Sequence, residues 1–207
     1  MCLTNTKNMA QFTDSPILTQ RFTNALILAS QLHANQVRKG HIQCPYISHL
    51  MSVSALVLEM GGNEDEAIGG LLHDSVEDTD YTLAEIETQF GKNVSSIVNC
   101  ITENKTIENK KERKLAYLQT IKESNNPSAY LVFLADKLHN GRCYLSSVKN
   151  FPMITEELID FYQKVTDLAW EFEQKKLIKG IFNSINNYHE LTFEVFYKMK
   201  EIVADRK

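Results

Sequence analysis

The spacing of apolar residues is the sequence feature that most restricts how this chain can fold. Near its start, apolar side chains recur at intervals of three and four residues, as on the buried face of an α-helix: Ile17, Leu18, Phe22, Ala25, Leu26, Ala29 and Leu32. Most later segments repeat this spacing, and no alternating strand pattern extends beyond a few residues. Helix-breaking residues are scarce, with 8 glycines and 4 prolines in 207 residues. The sequence therefore predicts an all-α fold.

The chain length suits one domain with a terminal extension. Ser15 followed by Pro16 predicts the start of the first helix, because serine caps helix N-termini and proline fits the first turn. We expect residues 16–172 to form one domain. We expect residues 173–207 to form a C-terminal helical extension packed on the same domain.

Two pairs of residues have the spacing of a capping box, in which a polar side chain and a glutamate three residues later cap one helix N-terminus. The pairs are Asn63 with Glu66 and Thr82 with Glu85. Both predict helix starts. The first predicted helix carries His73 and continues without a break to the residue pair 79–80.

Composition excludes several classes of partner. The chain is 43% hydrophobic and 23% charged, which is enough apolar material for a sizeable core. Its net charge of −4 gives no reason to expect nucleic acid or a membrane surface as a partner. An anionic small-molecule substrate would therefore need a local basic patch. The sequence leaves the oligomeric state open, a homo-oligomer included.

Cysteine placement and the absence of targeting signals predict a cytoplasmic protein. The four cysteines lack CxxC spacing and are typical of reduced thiols: Cys2, Cys44, Cys100 and Cys143. No apolar run reaches the roughly 20 residues of a membrane span. The first fifteen residues lack the basic start and apolar stretch of a signal peptide.

One short stretch, residues 69–79, combines an apolar start with four side chains that can bind metal or carry protons. At about 100° per helical residue, Glu77, Asp74 and Asp78 lie about 40°, 100° and 140° from His73 around the axis. Crowded carboxylates repel one another, and burying them unpaired is costly. A divalent cation would relieve both penalties. The alternative is a helix end at which these acids are solvated.

Two further residues fit the same site. His49 lies one turn into the helix that Pro45 opens, and alone it is more typical of a structural histidine than of a metal ligand. Asp136 follows an apolar run, so its carboxylate needs a partner if the run is buried. Lys137 points about 100° away around a helix. We therefore expect that partner to be a metal or a cation from another helix.

Together these residues resemble a known family. The order His49, His73-Asp74, Asp136 is similar to that of the HD metal-dependent phosphohydrolases. Over residues 19–172, the chain most resembles the hydrolase domains of RelA/SpoT homologues and the small stand-alone alarmone hydrolases. The segments that carry this resemblance are 32–40, 45–49, 71–79 and 134–142. The resemblance implies an HD-domain helical bundle and a role in the stringent response.

The resemblance also implies an activity and a cofactor. The activity is removal of the 3′-pyrophosphate of guanosine 3′,5′-bis(diphosphate), written ppGpp, or of pppGpp, to give GDP or GTP and pyrophosphate. The implied metal ligands are His49, His73, Asp74 and Asp136, and the usual metal is Mn²⁺. Imidazole and carboxylate ligands are also compatible with Zn²⁺, Fe²⁺ or Co²⁺. Such a metal lowers the pKa of a bound water from about 15.7 toward neutrality.

Further roles follow from the resemblance. Glu77 and Asp78 match the catalytic acidic pair that activates the attacking water. The residues that match substrate contacts are Arg38, Lys39, Asn140 and Arg142. Arg38 and Lys39 are equally compatible with a solvated basic turn, and Asn140 with an exposed helix position. His33 and His139 are interpreted as structural histidines.

The chain departs from the family pattern at two places. Cys143 stands where a small polar residue is common, and Glu103 follows the Ile101-Thr102 stretch, where a basic or hydrophobic residue is usual. The charged segment 103–114 suits an exposed helix or a mobile loop, and it is a candidate cover for the cleft.

Three functions stay open at this point. The first is the alarmone hydrolase. The second is an HD phosphohydrolase for another nucleotide, such as a nucleoside monophosphate, a deoxynucleotide or NADPH. The third is a catalytically inactive module that binds metal or nucleotide. The intact acidic pair Glu77 and Asp78 argues against the third function, because binding alone does not require both carboxylates.

Overall fold

The computed structural model describes residues 17–39, 44–146, 154–175 and 188–204. Within these ranges the backbone is helical apart from turns and one isolated antiparallel bridge between Val37 and Pro45, which confirms the all-α prediction. The helices are α1 Gln20–Leu32, α2 Ile47–Glu59, α3 Glu64–Leu72, α4 Ser75–Asp78, α5 Leu83–Phe90, α6 Lys92–Cys100, α7 Lys110–Glu123, α8 Pro127–Ser146, α9 Glu156–Gln174 and α10 Tyr188–Ala204. None of these described helices has both the length and the apolar content needed to cross a membrane.

The first helix starts later than predicted. Ser15 and Pro16 lie outside the described residues, and α1 begins at Gln20. Thr19 is the N-cap, and its hydroxyl accepts a hydrogen bond from the Arg21 amide at 3.2 Å. The prediction of a helix start at Pro16 was wrong, because Ile17 and Leu18 lie outside the helix and Ile17 is exposed rather than part of the buried face. Thr19 can cap the helix as serine does.

Both predicted capping boxes are confirmed. Asn63 and Glu66 cap α3, and Thr82 and Glu85 cap α5, each with reciprocal side-chain to backbone hydrogen bonds. Glu66 is itself buried, and its second oxygen accepts a hydrogen bond of 2.6 Å from the Ser128 hydroxyl at the start of α8. This capping box therefore also joins α3 to α8.

Helix α8 lies at the centre of the fold, in contact with α2, α3, α6, α9 and α10. Residues 129–138 are all buried, so this helix is covered on every side through its middle. Two polar side chains, Asp136 and Lys137, are therefore buried together with the apolar residues. The helix α10 packs against α8 and α9.

The helix predicted through residues 73 and 74 is broken at that point. Helix α3 ends at Leu72 and α4 begins at Ser75, with Asp74 at φ −93° and ψ −5°. The Ser75 hydroxyl donates a hydrogen bond of 2.5 Å to the Leu72 carbonyl, which competes with the regular helical bond pattern. The prediction of one continuous helix was wrong here, and His73 and Asp74 sit in the turn between two helices.

Candidate metal centre

Three elements bring two imidazoles and two carboxylates together. His49 comes from the first turn of α2, His73 and Asp74 from the turn after α3, and Asp136 from the buried middle of α8. His49 Nε2 lies 3.2 Å from Asp136 Oδ1 and 3.6 Å from Asp74 Oδ2. His73 Nε2 lies 3.1 Å from Asp74 Oδ2 and 3.7 Å from Asp136 Oδ1. His49, His73 and Asp136 thus converge on one centre, and Asp74 Oδ2 lies within 3.6 Å of both imidazoles.

The donor atoms fit a metal ion. One atom each from His49, His73 and Asp136 lies within 4.8 Å of the others, and all three residues are buried. His73 Nε2 is buried without a hydrogen bond of good geometry, although it faces the Asp74 carboxylate. An ion at the centre would accept this lone pair. Two nitrogen and two oxygen donors form a mixed set that suits a first-row transition metal.

Burial and the neighbouring charges shift the pKa values of His73 and Asp136 in opposite directions. Burial disfavours charge on His73, but the carboxylates of Asp74 and Asp136 outweigh it and raise the His73 pKa. Burial likewise opposes ionisation of Asp136, but Lys137 and the two imidazoles outweigh it and lower the Asp136 pKa. The carboxylates are therefore ionised, which is the form that binds metal.

Lys137 differs from the prediction. Its ammonium nitrogen lies 2.5 Å from Asp136 Oδ2, so the partner of this carboxylate includes its own sequence neighbour. The expectation that Lys137 points away was wrong, because the four-carbon stem can bend back across the helix surface. Asn140, one turn later, donates its amide to Asp136 Oδ1. Sequence reasoning gave Lys137 no role at the site.

The ring nitrogens that face away from the centre are also paired. His73 Nδ1 lies 2.9 Å from the Gly70 carbonyl oxygen, and His49 Nδ1 lies 2.8 Å from His139 Nδ1. Burial and the nearby charges lower the His139 pKa to about 4. The interpretation of His139 as a structural histidine overlooked this contact with His49. The position of His139 one turn after Asp136 on the same helix was the signal that could have placed it at the site.

The acidic pair Glu77 and Asp78 lies on α4, in contact with the loop that precedes α7. Glu77 Oε2 accepts a hydrogen bond of 3.2 Å from the Glu103 amide, and burial raises the Glu77 pKa. The Lys105 ammonium lies 3.1 Å from Asp78 Oδ1 and 3.8 Å from Glu77 Oε1. Residues 103–109 precede α7, so the charged segment is part loop and part helix, and its loop touches both acids.

Two of the predicted substrate residues contact each other. Arg38 Nη2 donates a hydrogen bond of 2.6 Å to Asn140 Oδ1, and the Arg38 guanidinium carbon lies 5.5 Å from the Tyr46 ring centroid. The Tyr46 hydroxyl donates a hydrogen bond of 2.7 Å to Asp74 Oδ2. Arg38 is thus linked to the metal centre through both Asn140 and Tyr46, and Tyr46 is a second site residue that sequence reasoning missed.

A cavity of about 540 Å³ is lined by Lys137 and Asn140, the two partners of Asp136, but by none of the four side chains at the centre. Its wall includes Asn140 and Tyr144 of α8, two acids of α9 and six lysines: Lys39, Lys110, Lys111, Lys114, Lys137 and Lys164. This is the local basic patch that a net negative protein needs for an anionic substrate. Among the predicted substrate residues, Lys39 and Asn140 line the cavity. Arg142 is exposed and does not.

Comparisons with known proteins agree with this geometry. A family model described as HD domain matches residues 25–167. The guanosine-3′,5′-bis(diphosphate) 3′-pyrophosphohydrolase MESH1 of Xenopus tropicalis is 41% identical over 116 residues, which cover 55% of this chain and 64% of that protein. The match thus spans slightly less than two thirds of that relative.

Two more relatives extend the comparison. The MESH1 protein of Drosophila melanogaster is 36% identical over 124 residues, which cover 59% of this chain and 68% of that protein. A solved structure of a metazoan orthologue of SpoT, described as hydrolysing ppGpp and acting in starvation responses, has a TM-score of 0.71 and 29% identity. The match covers 90% of this chain and 98% of the chain in that structure. The family match, over most of the chain, shows that the protein belongs to the HD-domain family.

Proposed function

We propose that the protein is a metal-dependent hydrolase that removes the 3′-pyrophosphate of ppGpp or pppGpp. The observation that carries this proposal is the convergence of two imidazoles and two carboxylates, His49, His73, Asp74 and Asp136. The Asp136 partners Lys137 and Asn140 connect this centre to a cavity lined by six lysines. The relatives named for this activity support the choice of substrate. ppGpp carries one pyrophosphate group at the 3′ position of its ribose and another at the 5′ position. An enzyme that removes only the 3′ group therefore needs a reactive site for that group and a second site that binds the 5′ group.

The proposed metal ligands are these four residues, and the proposed metal is Mn²⁺. When bound, the ion would supply Lewis-acid polarisation of a phosphoryl oxygen and acidification of a water. Lys114 and Lys137 are paired with acids, so the other four cavity lysines would bind the remaining phosphate oxygens as point charges: Lys39, Lys110, Lys111 and Lys164. Arg38, held flat by Tyr46 and Asn140, would stack on the guanine, while Lys39 and Arg142 would contact phosphates.

Glu77 is the proposed proton carrier. Its raised pKa suits a group that takes a proton from water and later returns it. The water oxygen attacks the phosphorus bonded to the ribose O3′, and the bond between that phosphorus and O3′ breaks. Glu77 first accepts the water proton and then delivers it to O3′, giving GDP and pyrophosphate. Asp78, paired with Lys105, would orient the same water.

The test begins with metal-stripped protein that is reloaded with Mn²⁺, Zn²⁺, Fe²⁺ or Co²⁺. Release of pyrophosphate from ppGpp is measured beside turnover of NADPH, a nucleoside monophosphate and a deoxynucleotide. We expect pyrophosphate from ppGpp, and turnover that stops when a chelator removes the metal. A protein that releases none with any of these metals would not be the proposed enzyme.

Variants separate binding from chemistry. His73→Ala and Asp136→Ala should lose metal and activity together, because each removes a ligand. Glu77→Gln should retain metal and lose about 10²–10⁴-fold in turnover, since an amide cannot carry the proton. Glu87→Gln on α5 is the matched control, because Glu87 is exposed. Full activity in metal-free Asp136→Ala protein would contradict the assignment.

A further inference from the structure

The contact between His49 and His139 joins a proposed metal ligand to a histidine that the mechanism above does not use. The two Nδ1 atoms are 2.8 Å apart, and the ring centroids are 4.9 Å apart with a tilt of 37° between the planes. His49 is 1% exposed, so water cannot replace this contact. The pair spans two helices, because His49 belongs to α2 and His139 to α8.

The contact and the proposed metal centre together assign the proton positions of the two rings. Two imidazole nitrogens can share a hydrogen bond only if one donates and the other accepts. His49 Nε2 faces Asp136 and Asp74, so metal binding requires a lone pair on Nε2 and places the single ring proton on Nδ1. His139 Nδ1 must then accept a hydrogen bond from His49 Nδ1–H, and the single proton of the His139 ring is on Nε2.

The two metal-binding imidazoles are held in different ways. His73 Nδ1 faces the backbone carbonyl of Gly70, in the last turn of the helix α3 that His73 follows. His49 Nδ1 faces a side chain from another helix. A carboxylate or a carbonyl is the usual partner of a metal-bound histidine, and such partners set the tautomer and ring orientation. In this chain the corresponding position beside His49 is occupied by a neutral imidazole.

The His139 ring is itself restrained. Cys143, one turn further along α8, places its Sγ 3.8 Å from both His139 ring nitrogens. Asp136, one turn before His139, supplies a metal ligand. Successive turns of one buried helix thus provide a ligand for the ion and the acceptor that orients the opposing ligand.

We propose that His139 is the positioning residue for His49, and that its Nδ1 accepts a hydrogen bond from His49 Nδ1–H so that His49 Nε2 is presented to the metal. This inference depends on the metal centre of the proposed function. His139 is not proposed to touch substrate. Its removal should weaken metal binding by about 10–100-fold, the usual effect of losing such a partner.

The experiment compares two substitutions in the whole chain, with Mn²⁺ affinity measured by titration calorimetry in the absence of substrate. His139→Leu removes the acceptor with little change in volume. His139→Asn keeps an acceptor, since its amide oxygen lies near the position of Nδ1. We expect the leucine variant to lose about 10–100-fold in affinity, and the asparagine variant to retain most of the wild-type affinity.

A spectroscopic readout tests the tautomer directly. In Co²⁺-loaded wild-type protein, the exchangeable Nδ1 proton of His49 should give a shifted and slowly exchanging signal in the proton NMR spectrum. That signal should persist in His139→Asn and disappear by exchange in His139→Leu. Cys143→Ala is the matched control, because it removes the other neighbour of His139 and leaves the acceptor in place.

Equal Mn²⁺ affinity in wild-type and His139→Leu protein would overturn the inference and leave the metal centre intact. A loss of affinity in the asparagine variant as large as that in the leucine variant would overturn it as well. Metal-free melting temperatures of all variants identify any loss that comes from misfolding. A wild-type protein that binds no Mn²⁺, Zn²⁺, Fe²⁺ or Co²⁺ would instead reject the proposed function itself.

Discussion

At the residue scale, Lys137 supplies a positive charge beside Asp136, a buried carboxylate of the candidate centre. The Lys137 ammonium is 2.5 Å from the Asp136 carboxylate and lies over the rings of Tyr117 and Phe133, at 5.1 Å and 5.6 Å from their centroids. Burial opposes charge on Lys137, but Asp136 outweighs it and raises the lysine pKa. Both groups are therefore charged, and the pair offsets part of the cost of burying a metal-binding carboxylate.

Lys137→Met should destabilise the metal-free protein by about 3–5 kcal/mol, because it leaves the Asp136 charge buried without its cation. Saturating Mn²⁺ should recover part of that loss, since the ion also compensates the carboxylate. Urea unfolding with and without metal measures both effects. Lys164→Met, at an exposed position on α9, is the control. Unchanged metal-free stability in Lys137→Met would show that the pair contributes nothing.

Glu103 is not a proposed metal ligand, and its contribution to the free energy of unfolding should depend on pH. Burial raises its pKa, but Lys114, Lys137 and Arg113 outweigh burial, so the net pKa is lowered. A lowered folded-state pKa contributes stability above the unfolded value of about 4.3, and this contribution is lost as pH falls through the folded value. Glu103→Gln should therefore cost about 1.5–3 kcal/mol at pH 7.

The difference between wild-type and Glu103→Gln protein should shrink as the pH falls below about 4. Chemical unfolding of both proteins at several pH values measures it. A cost that is the same at acid and neutral pH would mean that the ion pairs with Arg113 and Lys114 are not its source.

At the element scale, the contact between α8 and α10 depends on one glycine. A Cβ atom at Gly141 would lie 2.4 Å from Val195 Cγ1 and 3.1 Å from Tyr162 Cε1. Val195 is β-branched and buried, so it has little freedom to move aside. The close approach places α10 directly behind the part of α8 that carries Asp136 and His139.

Gly141→Ala should destabilise the protein by about 1–3 kcal/mol through overpacking against Val195. Thermal unfolding measures the loss. Val195→Ala makes room for the added methyl, so the same glycine substitution should cost less in that background, giving a favourable coupling energy. Additive effects of the two substitutions would contradict this account of the contact.

At the scale of the whole molecule, metal binding and folding are linked. The four proposed ligands come from separate parts of the sequence, and only the folded chain brings them together. An ion that binds the folded state alone stabilises it by mass action, by about 2.7 kcal/mol at a free concentration of 100 times Kd. The helices that meet at the centre, α2, α3 and α8, should therefore unfold together.

Mn²⁺ at that concentration should raise the melting temperature by about 5–10 °C, given about 2–4 °C per kcal/mol in a domain of this size. Differential scanning calorimetry with Mn²⁺ and with a chelator measures the shift. Asp136→Asn has nearly the same shape and a weaker ligand, so its shift should be much smaller. An equal shift in both proteins would place the stabilising ion elsewhere.

Much of the helical architecture could be predicted from the sequence, because its signals are local. The three-and-four spacing of apolar residues and the capping boxes at Asn63 and Thr82 act within a few residues of themselves. The start of α1 and the break at His73 could not be predicted in the same way. Each involves one hydroxyl group bonded to the backbone, that of Thr19 to the Arg21 amide and that of Ser75 to the Leu72 carbonyl, which the apolar spacing does not record.

The sequence by itself determined the all-α class and the order of candidate ligands along the chain. Only the tertiary structure decided that His139 faces His49, that Lys137 turns back to Asp136, and that lysines from separate elements line one cavity. These contacts join residues through side-chain rotamers and helix packing. Sequence spacing describes positions around one helix axis, whereas such contacts depend on how several helices are placed around α8.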